Sequence, residues 1–92
     1  MAHTIRDKTK LLHRVRRIRG QVDGIEKALI AEKDCAVLLQ TIVACRGAIN
    51  GLMAEIMEGH LRFHVVNPDR HPTSSQAKAA QELIHVIKSY LK

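Results

Sequence analysis

The sequence predicts an all-α protein, a three-helix protomer with no helix-turn-helix unit. Apolar residues recur at helical spacing through most of the 92 residues, no stretch alternates as a strand would, and both prolines fall in one break, Asn67 to Ser75. The length suits one domain, 1–92, since domains usually run to about 100–150 residues. With 46% apolar and 26% charged residues, the composition is that of a folded chain. No window approaches the roughly 18 uncharged apolar residues of a membrane span, and MAHTIRDKTK lacks the apolar core of a signal peptide. Two cysteines without a secretion signal are expected to be reduced thiols, so the expected compartment is the cytoplasm.

In the first helix, Leu11, Val15, Ile18, Val22, Ile25 and Leu29 are spaced alternately by four and three residues, a heptad seam. Thr4 is its expected cap, with Asp7 three residues on in a capping-box position. Asp34 is the expected cap of the second helix, which runs from about Cys35 to Val65 and is weakened locally by Gly47, Gly51 and Gly59. Such a helix is a rod of roughly 45 Å, whereas a globule of this size is about 25–30 Å across. Its ends must be covered by another chain, so a homo-oligomer is expected. The third helix is expected from about Gln76 to Leu91, burying Ala79, Ala80, Leu83, Ile84, Ile87 and Leu91. The first linker separates long helices, unlike the short ones of a helix-turn-helix.

Charge is the next signal. There are 15 Lys and Arg against 9 Asp and Glu, a net charge of +6. All of that excess lies between Ile5 and Arg19, in Arg6, Lys8, Lys10, Arg14, Arg16, Arg17 and Arg19, opposed only by Asp7. Arg6, Lys10, Arg14 and Arg17 form one helical stripe. A patch this dense suits a phosphate backbone, whose neutralisation releases counterions. Lys10, Arg14, Arg16, Arg17 and Arg19 are the expected nucleic-acid phosphate ligands; Arg46 is a weaker candidate, near the seam between copies. Phe63 and Tyr90 are too few to build a stacking platform for single strands. No nucleophile–base pair or carboxylate pair stands out, and Asp7, Glu55 and Glu58 read as surface acids. An enzyme is not expected.

A metal site is expected between two chains. On the second helix His64 lies about 40° from His60, and Cys35 returns to within about 20° of the same face, with Leu38, Ile42, Ile49, Met53 and Ile56. Histidines at i and i+4 present two imidazoles to one ion. Cys35 is about 37 Å away along a straight helix, too far to join them within one chain. Antiparallel packing of two copies about a twofold axis near residues 47 to 50 brings Cys35 of one chain to His60 and His64 of the other. Gly47, Ala48 and Gly51 permit the close crossing. The first helix folds back and makes His3 the fourth ligand. His13, His71 and His85 are read as ordinary surface or capping residues, and Cys45, Met53 and Met57 as core.

These residues lie in strings that resemble the CsoR/RcnR family of transcriptional repressors: RVRRIRGQV (Arg14–Val22), RGAINGLMAEI (Arg46–Ile56), GHL (Gly59–Leu61) and SYLK (Ser89–Lys92). The resemblance implies a three-helix protomer, an antiparallel dimer and a dimer-of-dimers tetramer. It also implies that the ligand-free protein binds operator DNA, a G/C tract flanked by inverted repeats, and that an effector releases it. The set His3, Cys35, His60 and His64 resembles that of the nickel/cobalt sensors, as does HTIRDK (His3–Lys8), whereas RVRRIRGQ is more similar to the formaldehyde sensors. Ni(II) or Co(II) is the expected effector, and Zn(II) suits the same four side chains. The expected function is a metal-responsive repressor that derepresses a metal efflux system. Two alternatives stand beside it: a formaldehyde sensor of the same fold acting through Cys35, and a metal-buffering or trafficking bundle without DNA binding.

Overall fold

The structure, a computed structural model, describes residues 5–65 and 67–91. Those residues form three α-helices and no strand: α1 (Lys8–Ile30), α2 (Cys35–His60) and α3 (Ser75–Tyr90). A π-helical turn, Leu61–Val65, prolongs α2. The expected limits of the second and third helices are therefore close to those observed.

Each boundary has a local cause. Asp7 stands at the cap position of α1 without a side-chain cap; Thr4, the expected cap, lies outside the described residues. At the other end the Lys33 N–H donates to the Ala28 carbonyl and the Glu32 N–H to the Leu29 carbonyl, the Schellman closure. Glu32 takes the left-handed conformation this needs, with φ 53°. Asp34 caps α2 as expected, its Oδ1 accepting from the Val37 N–H at 3.0 Å. The break before α3 is an Asx turn, Asn67 Oδ1 accepting from the Asp69 N–H, around a fully buried Pro68. Ser74 then caps α3 through the Ala77 N–H at 3.0 Å.

Helix α1 packs back along α2, and the shorter α3 lies against the last turns of α2 and its π-helical extension. The seam of α1 differs from the one expected. Leu11, Ile18 and Ile25 turn towards α2 together with Arg14, Gln21 and Ala28, whereas Val15, Val22 and Leu29 are exposed. Half of the apolar heptad thus serves the protomer, and the other half is left outside it. The same division marks α3, where Ala77, Ala80 and Ile84 are buried and Ala79 and Leu83 are exposed. On α2, Cys45 is buried as expected, but Met53 and Met57 are exposed. They lie on the face that the chain leaves uncovered, so they are not core within a single protomer.

The result is a slab of 55 × 25 × 12 Å with a radius of gyration of 17.1 Å, where a compact globule of this length has about 12 Å. Helix α2 with its extension, Cys35–Val65, averages a hydropathy of 1.5 over its most apolar 18 residues. By length and composition it is long and apolar enough to cross a membrane, which corrects the expectation that no window approaches a span. Two apolar edges, one for α1 and one left open, raise the mean hydropathy of this helix above that of a one-sided amphipathic helix.

Candidate metal centre and nucleic-acid face

The two histidines meet at the C-terminal end of α2. His60 closes the α-helix and His64 sits in the π-helical turn, so one candidate ligand stands on each side of the change in helical winding. Their ring centroids are 5.3 Å apart with the planes tilted by 34°. Two imidazoles bound to one ion at about 2.1 Å per metal–nitrogen bond have ring centres about 5 Å apart, close to the separation of this pair. Both rings are exposed. His60 also borders an apolar crevice formed by Ile56, Met57, Leu61, Leu83 and Ile87, a lining that limits water at one side of the ring.

Cys35 is the first residue of α2, exposed, with a free thiol, at the opposite end from the histidines. Among the described residues no group of three or more His, Cys, Asp and Glu side chains gathers around one point. The expected set is thus divided within the protomer, as the length of α2 requires. His3 lies outside the described residues. The segment leading to it does reach the histidine end: the Arg6 guanidinium lies over the Phe63 ring at 4.7 Å from its centre. Phe63 immediately precedes His64, so Arg6 is tied to the turn that carries this candidate ligand. Sequence reading left Phe63 without a role, although it is the single Phe of the chain.

The basic stripe of α1 is not uniform. Arg16, Arg17 and Arg19 are exposed, and no ion pair recorded among the described residues engages them. Lys10 and Arg14, by contrast, both pair with Glu55 of α2. Gly51, one turn before Glu55, makes room for this: a Cβ there would stand 3.0 Å from Arg14 Nη1. The small residue anticipated for a crossing between copies is used within the chain by an arginine. Burial pushes the Glu55 carboxyl up, but Lys10 and Arg14 outweigh it and hold its pKa below the ordinary 4.5. The Glu55 hydrogen bond and charge in turn raise the Lys10 pKa.

Glu58, one turn further, forms a second cluster. Its carboxylate accepts from Arg62 Nε at 2.9 Å and pairs with Lys88 Nζ of α3 at 2.8 Å. Arg62 also reaches Asp69 in the loop at 3.2 Å. Burial pushes Glu58 up, and Lys88 and Arg62 more than compensate, leaving its pKa below 4.5. Glu55 and Glu58 are therefore half-buried junctions between helices, which corrects their reading as surface acids. The available signal was their isolation, as they are the acids of an otherwise apolar α2.

Residues 7–89 match the family described as metal-sensitive transcriptional repressors. A protein known as the transcriptional repressor RcnR, from Salmonella paratyphi B, is 44% identical over 95 residues, covering 100% of both chains. A Serratia marcescens protein described only by its position in the bioA 5′ region is 47% identical over 92 residues, again covering 100% of both. Among solved structures, a glutamate-to-histidine variant of the formaldehyde-responsive regulator FrmR from Salmonella enterica serovar Typhimurium superposes with a TM-score of 0.64. It is 44% identical, and the match covers 92% of this chain and 94% of that one.

Proposed function

Because the chain belongs to the metal-sensitive transcriptional repressor family, we propose that it is a cytoplasmic repressor that binds operator DNA when metal-free and releases it on binding Ni(II) or Co(II), derepressing metal efflux. The observation that carries the effector reading is the His60–His64 pair, spaced for one ion and reached by the N-terminal segment. Imidazole nitrogens with a single thiolate suit Ni(II) and Co(II), and Zn(II) fits the same side chains. A bound ion would supply one point at which donors from separate elements converge. His60 and His64 are the fixed part of the proposed site; His3 and Cys35 of the partner subunit complete it in an antiparallel dimer, two of which form the tetramer. Drawing His3 onto the histidine end restrains the start of α1, the helix that carries Lys10, Arg14, Arg16, Arg17 and Arg19. These are the proposed phosphate ligands on double-stranded DNA, and displacing them weakens that binding. Coupling of about 1–3 kcal/mol is the usual scale of such a device.

One observation favours a second reading, formaldehyde sensing. The superposed structure is of a formaldehyde-responsive regulator, and Cys35 offers an exposed thiol as nucleophile. The basic helix and the repressor family leave a metal-buffering bundle without support. Fluorescence anisotropy on a G/C-tract inverted-repeat duplex separates the two repressor readings. Release near stoichiometric Ni(II), with formaldehyde inert in the presence of chelator, is the expected result. Release by formaldehyde under chelation, with no response to Ni(II) or Co(II), would overturn the metal reading.

A further inference from the structure

Two of the proposed phosphate ligands already have an anionic partner inside the protein. Lys10 and Arg14, one turn apart on α1, both reach the carboxylate of Glu55 on α2. The arrangement is built rather than incidental. Arg14 occupies a seam position of α1 and is accommodated by the missing Cβ of Gly51. The Glu55 side chain is 23% exposed beneath it, while those of Arg14 and Lys10 are 41% and 66% exposed. The acid is thus sunk in the groove, and the two bases stand between it and solvent, where a DNA strand would approach.

We propose that Glu55 is an internal counter-charge that competes with DNA phosphate for Lys10 and Arg14, and so sets the affinity and salt dependence of DNA binding. The proposal rests on the reading that these α1 bases contact DNA. A phosphate that recruits either base must draw it from an oxygen ligand of the same charge, so each contact is an exchange rather than a new ion pair. The exchange lowers the gain per phosphate and the number of counterions the complex releases. Arg16, Arg17 and Arg19 carry no such internal partner among the ion pairs recorded for the described residues. They are the ungoverned part of the patch, and Glu55 governs the rest. A carboxylate with a purely structural task would alter stability and leave the salt dependence of binding unchanged.

The test is anisotropy of the metal-free protein on a mixed-sequence duplex between about 50 and 200 mM NaCl, where phosphate contacts dominate. Glu55→Gln is expected to bind about three- to tenfold more tightly, with a log–log salt slope steeper by about one to two. Glu55→Asp, which keeps the charge but shortens its reach, is expected to fall between Gln and wild type. If Glu55→Gln does not fold, a tighter, steeper-sloped Glu55→Asp carries the proposal and an unchanged one overturns it. Equal or weaker binding by a folded Glu55→Gln, at an unchanged slope, overturns it as well. Lys10→Gln with Arg14→Gln checks the premise separately, since an unaltered slope in that double variant would remove these bases from the DNA interface altogether.

Discussion

At the scale of single residues, Cys35 and the two glutamates of α2 make contrasting demands. Cys35 is exposed at the start of α2 and touches neither histidine of its own chain, so its proposed role belongs to the assembly. Replacing it by alanine removes no buried contact. Cys35→Ala is expected to keep metal-free DNA binding within about twofold. It should weaken Ni(II) binding by more than the roughly 10–100-fold that follows loss of an outer-shell partner. Anisotropy with and without Ni(II) reads both. Glu55 and Glu58 instead act within the protomer. Their pKa values are held below 4.5 in the folded state by basic neighbours. The unfolded chain therefore takes up protons first as the pH falls. The stability these ion pairs contribute is complete above the ordinary glutamate value and is lost as the pH drops through the folded one. Thermal melts are expected to be flat from neutrality to about pH 5 and to fall below it, less steeply for Glu58→Gln. Cys35, His60 and His64 were singled out as proposed ligands from residue type and spacing. The Glu55 junction was not, because it depends on the register of α1 against α2.

At the scale of elements, boundaries followed local rules wherever a side chain supplied the missing hydrogen bond, as Asp34 and Ser74 do. The end of α1 shows a compromise. Its Schellman closure requires a left-handed residue, and Glu32 fills that position at φ 53° where glycine costs nothing sterically. Glu32→Gly is expected to raise stability by about 0.5–1 kcal/mol, seen as a higher melting temperature. The π-helical turn at Leu61–Val65 had no sequence signature, since the apolar pattern simply continues through it. Wider winding there follows the last α-helical turn and shifts the face that His64 and Val65 present, and such turns are frequent at functional sites. The heptad seam of α1 was legible as a pattern but not as an allocation. Periodicity marks an apolar edge; it does not say which neighbour covers each position.

At the scale of the molecule, the protomer is a thin slab whose longest dimension is 55 Å. It exposes Val22, Ile42, Val43, Ile49 and Met53, each more than two-fifths accessible, a surface of the kind that marks a protein–protein interface. Ile49 lies on the α2 face shared with the proposed ligands. Ile49→Asp is expected to lower the mass measured by sedimentation and to abolish Ni(II)-driven release of DNA, with the monomer left less helical. The sequence by itself determined the helical class, the limits of the second and third helices, the concentration of positive charge on the first, and the family. The first three follow from periodicity, capping chemistry and composition, which act over a few residues, and the family from the resemblance of its motif strings. Only the tertiary structure decided which half of the α1 seam is used within the chain, that Gly51 shelters Arg14, and that Glu55 holds two bases of the patch. Those depend on how two helices far apart in sequence are aligned, and the alignment is set by packing across the whole length of α2.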